Sequence, residues 1–179
     1  MKSRVFSLKP FPSAAPSPHL DIRGNIRRNS NKLSIRYTLS GPLTLLMIPE
    51  FADIPLRRIR LWENTCFEFF LAPSNSDHYW EFNLSTSGHW NVYRFTSCRE
   101  GMREETAFTA LPFSVLLYSD SLQLSLDVDL DRLVPADQSL KIGINAVTKA
   151  TNGGITFWSL THPGARPDFH RRDTFVVDL

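Results

Sequence analysis

At 179 residues, 42% of them hydrophobic, the chain is long enough to bury roughly 70% of its unfolded surface around one core, so no disulfide or metal staple is required. Twenty Lys and Arg against 18 Asp and Glu leave a formal net charge of +2, which excludes the basic footprint of a nucleic-acid binder. Cys66 and Cys98 fit neither a metal knuckle nor a secreted disulfide scaffold, and the most apolar run, residues 43–51, is too short to cross a bilayer, so a soluble cytoplasmic protein without a membrane partner is expected.

From the start of the chain, Val5 to Leu8 reads as a strand, while the Pro/Ser/Ala stretch from Pro10 to Pro18 holds neither a ladder nor a helix, so residues 1–19 are expected to form an extended arm. SLKPFPSAAPSPH lacks the continuous apolar region of a secretory signal. Leu33, Ile35, Tyr37 and Leu39 then alternate with polar residues up to a Gly41-Pro42 turn, the pattern of a half-buried strand. Residues 50–60 read as irregular before a strand at Trp62, and Arg57, Arg58 and Arg60 read as a solvated edge, as do Arg171 and Arg172.

Residues 62–95, WENTCFEFFLAPSNSDHYWEFNLSTSGHWNVYRF, carry the most information. Strand periodicity points Thr65, Phe67, Phe69 and Leu71 one way and Cys66, Glu68 and Phe70 the other; Trp80, Phe82 and Leu84 likewise oppose Tyr79, Glu81 and Asn83. Side by side, the two polar rows make a floor of acids, amides and aromatics. Such a floor suits a polyhydroxylated ligand, because carboxylates and amides take hydroxyl hydrogen bonds and a flat ring packs on the apolar face of a sugar. The alternative is that Glu68, Glu81 and Asn83 lie on the wet face of an antiparallel sheet.

Leu122 to Leu130 alternates most clearly, residues 129–139 have room for one helical turn, and strands follow at Lys141–Thr148, Ile155–Leu160 and Thr174–Val177, with Asn152-Gly153-Gly154 as a hairpin turn. Short strands with almost no helical periodicity predict a single antiparallel β-sandwich over 1–179, with Phe67, Phe69, Trp80, Phe82, Leu124, Leu126, Ile142 and Ile144 buried between its sheets.

The segment Leu61–Leu71, the motifs Tyr79-Trp80-Glu81-Phe82-Asn83, Ser87-Gly88-His89-Trp90-Asn91 and Gly101-Met102-Arg103, and the tail His162-Pro163-Gly164…Pro167-Asp168-Phe169-His170 resemble the stand-alone bacterial DOMON-like proteins, β-sandwiches similar to family-nine carbohydrate-binding modules. The resemblance implies two tryptophan walls, Trp62 and Trp158, with Glu68, Asn83, Arg94 and Asn145 as polar contacts to a saccharide. It also implies an alternative, since the same scaffold holds haem in some relatives; the axial candidates here would be Met47, Met102, His19, His78, His89, His162 and His170, none matched to a known axial position, and there is no C-x-x-C-H.

His162, Asp168 and His170 supply the ligand types of a zinc or iron site, but the reading preferred is that Asp168 accepts from loop N–H groups, His170 packs beneath the arm, and no metal is bound. Glu68 and Glu81 would imitate a glycosidase pair only at the required separation, which the sequence does not fix, and there is no nucleophile elbow, phosphate loop or dinucleotide fingerprint. The expectation is therefore a non-catalytic module binding a small polar ligand, with no cofactor. A haem- or metal-binding module, or an interaction domain without a small ligand, are the alternatives, and the oligomeric state stays open.

Overall fold

The computed structural model describes residues 1–12 and 19–179, and builds them from twelve strands whose ladders are all antiparallel. They are β1 (Lys2–Pro10), β2 (Asp21–Asn29), β3 (Lys32–Ser40), β4 (Cys66–Pro73), β5 (Tyr79–Ser85), β6 (Trp90–Phe95), β7 (Arg103–Glu104), β8 (Phe113–Leu117), β9 (Ser121–Asp129), β10 (Leu140–Lys149), β11 (Ile155–Ser159) and β12 (Val177–Asp178). A first sheet runs β1–β2–β3–β9–β8 and a second runs β7–β6–β5–β4–β10–β11, with β12 pairing β10 beyond the end of β11. This is the β-sandwich expected.

Period-two alternation makes the interior. Ile22, Ile26, Leu33, Ile35, Tyr37, Leu39, Leu122, Leu124 and Leu126 of the first sheet meet Phe67, Phe69, Leu71, Trp80, Phe82, Ile142 and Ile144 of the second in one buried cluster. All eight residues expected between the sheets are there. Phe69 and Phe82 stack at 4.3 Å, and the Tyr37 hydroxyl donates to the backbone oxygen of Glu68 at 2.8 Å, fastening one sheet to the other.

The strand expected at Val5–Leu8 forms and is longer, running Lys2–Pro10 within the span read as an extended arm. Phe6 and Leu8 face the core, Lys2–Leu8 pair with β2, and Lys9 and Pro10 pair with Ser159 and Trp158 of β11, so β1 turns the corner between the sheets. Pro10 ends the strand, where a missing N–H costs least. The remainder of the predicted arm, residues 13–18, lies outside the described residues.

Other differences are local. Trp62 lies on a one-turn 3-10 helix, Leu61–Glu63, led in by Arg60 at φ 61°, and the strand begins only at Cys66. Residues 172–174 also form a 3-10 turn, leaving Val177–Asp178 as the strand. The Leu130 carbonyl accepts from Leu133 and Val134, so the anticipated turn forms but does not propagate. Gly153, at φ 87°, closes the β10–β11 hairpin. No described helix is long and apolar enough to cross a membrane.

Candidate ligand-binding site

The second sheet is buried on both faces, which a half-wet antiparallel sheet would not be: every residue of β4 and β5 is buried. One face is the sandwich core. The other carries Phe70, Tyr79, Tyr93, Phe95 and Val147, and is roofed by Phe169 and Phe175 from the C-terminal segment, with Trp62 and Phe157 at the margin. Gly143 allows that roof, since a Cβ there would lie 2.9 Å from the Phe175 ring.

Register aligns a polar row across this covered face. Ser159, Asn145, Glu68, Asn83 and Asn91 stand directly opposite one another on β11, β10, β4, β5 and β6. Asn83, Asn91 and Asn145 are 0% exposed. At the β6 end the row is satisfied: Asn91 Oδ1 accepts from Arg57 at 2.8 Å, and its Nδ2 lies near the Arg58 carbonyl, Tyr93 Oη and Glu104 Oε1. Asn83 donates to Glu81 Oε1 at 2.8 Å. At the other end Glu68 Oε1, both amide atoms of Asn145 and Ser159 Oγ have no partner among the described residues. Four orphaned polar atoms on three adjacent strands are an uncommon concentration for a folded interior.

On the same face opens a cavity of about 290 Å³, which reaches Glu68 of the row and is lined besides by Glu81, by Trp62, Phe70, Phe95, Phe157 and Phe169, and by Arg99 and His170 among others. Trp62 is half-buried and meets Tyr93 edge-on at 5.7 Å. Its turn is held beside the sheet through Thr65, whose hydroxyl donates to the Met47 carbonyl and accepts from Lys149 N–H, both at 3.1 Å.

Electrostatics follow from the burial. Burial pushes the Glu81 carboxyl up to about 7, against a hydrogen bond from Asn83 that lowers it, and pushes Glu68 well above the carboxylate range with the Glu81 charge adding to the rise. His170 is held down at about 4 by burial and by the Arg99 guanidinium, so it is neutral at pH 7. Arg99 N–H donates to Tyr79 Oη at 3.1 Å, leaving the tyrosine proton for His170 Nδ1 at 2.8 Å. The imidazole proton therefore sits on Nε2, facing Glu81 Oε2 at 3.9 Å.

Of the anticipated site residues, Trp62, Glu68, Asn83 and Asn145 are brought to this face. Trp158 and Arg94 are not. Trp158 pairs with Ala146 and shares its parity, so its indole lies in the core between the sheets, donating to Thr148 Oγ1 at 2.9 Å. Arg94 pairs with Trp80, whose ring it covers at 5.9 Å, and belongs to the opposite face of β6 from Asn91 and Tyr93. Phe157, one residue before Trp158, supplies the wall instead.

The tail residues separate. His162 Nε2 bonds the Lys9 carbonyl at 2.8 Å, while Asp168 Oδ1 accepts from His170 N–H at 3.1 Å and from Arg99 at 2.7 Å. Asp168 thus orders the loop as expected, but His170 packs against Phe70 and Phe95 at the site and not beneath the arm. Among the described residues no group of three His, Cys, Asp or Glu side chains is placed to hold a metal. Sequence reasoning passed over Asn91, Ser159, Phe157, Arg99 and the site role of His170. Asn91 and Ser159 are recoverable from pairing register once Glu68 is placed; Arg99 and His170, on loops, carry no periodic signal.

No family model and no curated protein sequence matches the chain. Solved structures do share its fold. One is a candidate carbohydrate-binding protein from Bacteroides uniformis, with a TM-score of 0.68 at 15% identity, the match covering 98% of this chain and 84% of that one. Another is a family-nine carbohydrate-binding module from Caldicellulosiruptor kristjanssonii in complex with glucose, with a TM-score of 0.53 at 9% identity over 85% of this chain and 72% of that one; its cellotriose complex gives 0.50 over 85% and 70%. At these identities the likeness is one of fold.

Proposed function

We propose that this chain is a non-catalytic module of the DOMON-like type that binds a small polar ligand, a saccharide, on the covered face of its second sheet. The observation that carries the reading is an aromatic-walled cavity lined by Glu68, whose Oε1 is orphaned, with the orphaned atoms of Asn145 and Ser159 on the two strands next to it. Their donors and acceptors match the hydroxyls of a sugar, and Trp62 offers a ring face at the rim. A cavity of about 290 Å³ stands at the low end of small-molecule sites, which begin at about 300 Å³, and suits a single ring. The fold shared with modules solved with glucose and cellotriose supports the same ligand class.

Binding fits the acids better than hydrolysis does. Glu68 and Glu81 are diagonal neighbours, since Glu68 faces Asn83 and Glu81 faces Phe70. Burial disfavours the ionised form of both, the opposite of the environment that keeps a glycosidase nucleophile charged. The reading needs no cofactor.

Calorimetry against a panel of mono- and disaccharides tests it. Wild type is expected to bind at least one, and Trp62→Ala, folded by circular dichroism, to bind at least about thirtyfold more weakly, as truncation of an anchoring aromatic does. A panel without binding, or a folded Trp62→Ala that binds as wild type does, overturns the reading.

A further inference from the structure

The charge inventory of the cavity is lopsided. Its lining contains three carboxyls, Glu68, Glu81 and Asp168, and two basic side chains, Arg99 and His170. Arg99 is already committed to Asp168 at 2.7 Å, and His170 takes the Tyr79 proton on Nδ1 and so stays neutral. Of the other titratable groups on the strands of this face, Cys66 on β4, Tyr79 on β5, Tyr93 on β6 and Glu104 on β7 bring no positive charge, and the two lysines of β10 lie at its ends outside the cavity lining, Lys141 paired with Asp178 at 2.7 Å and Lys149 donating to Asn64 at 3.2 Å; β11 contributes Phe157 and Ser159, which carry none. Two deeply buried carboxyls thus face a cavity whose one lining guanidinium is bound to Asp168 and reaches Glu81 only through its field, and among the described residues Glu68 Oε1 has no hydrogen-bond partner.

The walls favour the same kind of occupant. Trp62, Phe70, Phe95, Phe157 and Phe169 surround the carboxyls, and the negative face of an aromatic ring attracts an ammonium group most strongly where water is excluded. A neutral polyol would satisfy the hydrogen bonds of this site but leave its acids protonated; an ammonium would complete their charge.

Resting on the saccharide reading above, we infer that the site selects a ligand bearing a protonated or quaternary amine, an amino sugar over its neutral counterpart. Glu68 and Glu81 are the specificity-determining residues. The upward displacement of their titration by burial gives the inference a thermodynamic signature: a bound cation favours the ionised carboxyls, so binding near neutral pH expels protons.

The test is calorimetry with glucose, glucosamine and choline at pH 6.5, in two buffers of different ionisation enthalpy, on wild type, Glu81→Gln and Glu68→Gln. The expected result is that glucosamine binds roughly tenfold or more tightly than glucose, that its binding releases protons where that of glucose does not, and that the ratio collapses in either variant. Should a variant fail to fold, proton release by wild type decides. Glucose binding as tightly as glucosamine, or glucosamine binding without proton release, overturns the inference and leaves the saccharide reading standing. Choline binding with no sugar bound upholds the cation inference and removes the saccharide. No binding by any of the three overturns both.

Discussion

Asn145 is the least satisfied side chain of the covered face. Its side chain is buried on the sheet, yet among the described residues neither its amide nitrogen nor its oxygen finds a partner, at a cost of about 1–3 kcal/mol for an unsatisfied buried group. A side chain kept for the fold would be bonded within it. Asn145→Ala is therefore expected to hold or raise the urea midpoint while weakening saccharide binding; a variant that binds normally but unfolds early would assign Asn145 to packing. Glu81 gives a second handle through pH. In the folded chain it keeps its proton up to about 7, whereas the unfolded chain releases it near 4.3, so stability is lost as pH rises through that window. Glu68, raised as well, loses stability in the same direction as pH rises, and His170, held near 4, works oppositely, losing stability as pH falls below about 6.5. Glu81→Gln should gain on wild type between pH 4.5 and 7 by on the order of 3 kcal/mol in urea unfolding. A difference independent of pH would mean that Glu81 is solvated.

At the scale of elements, alternation was the legible signal. The rows of β3, β4, β5, β9 and β10 read directly from the sequence because one apolar residue in two faces the same core. β2 hid itself: Gly24 interrupts its inward row and Arg28 ends it, although that arginine is buried and donates to the backbone of Ser30, Pro135 and Ala136. β6 has large side chains on both faces, so its parity carried no contrast. Trp158 and Arg94 were carried over by likeness to relatives, where parity would have warned against both, since Trp158 falls in step with the core residues Ala146, Ile144 and Ile142. The roof and the Arg99–Asp168 brace come from loops far apart in sequence, which no local pattern encodes. The core itself is tested by Phe69→Ala, which removes a fully buried ring stacked on Phe82 and should cost roughly 3–5 kcal/mol. A loss under about 1 kcal/mol would place Phe69 outside a packed core.

Taken as a whole, the molecule puts the two faces of one sheet to different uses. The inner face of β4, β5 and β10 closes the sandwich with large apolar side chains, while the outer face of the same strands holds the polar row under a roof of its own. β1 supports this division by pairing with both sheets, tying the corner beside β11, where Ser159 ends the row. The site can therefore carry unsatisfied polar groups without opening the main core, which is where such groups would be most damaging. The most direct test is a crystal structure of the protein soaked with the saccharide that it binds most tightly. One sugar ring should occupy the cavity, with its hydroxyls within hydrogen-bond distance of Glu68 Oε1 and the Asn145 amide and its apolar face on Trp62. Sugar bound elsewhere on the molecule, with Glu68, Asn145 and Ser159 still unpartnered, would contradict the account.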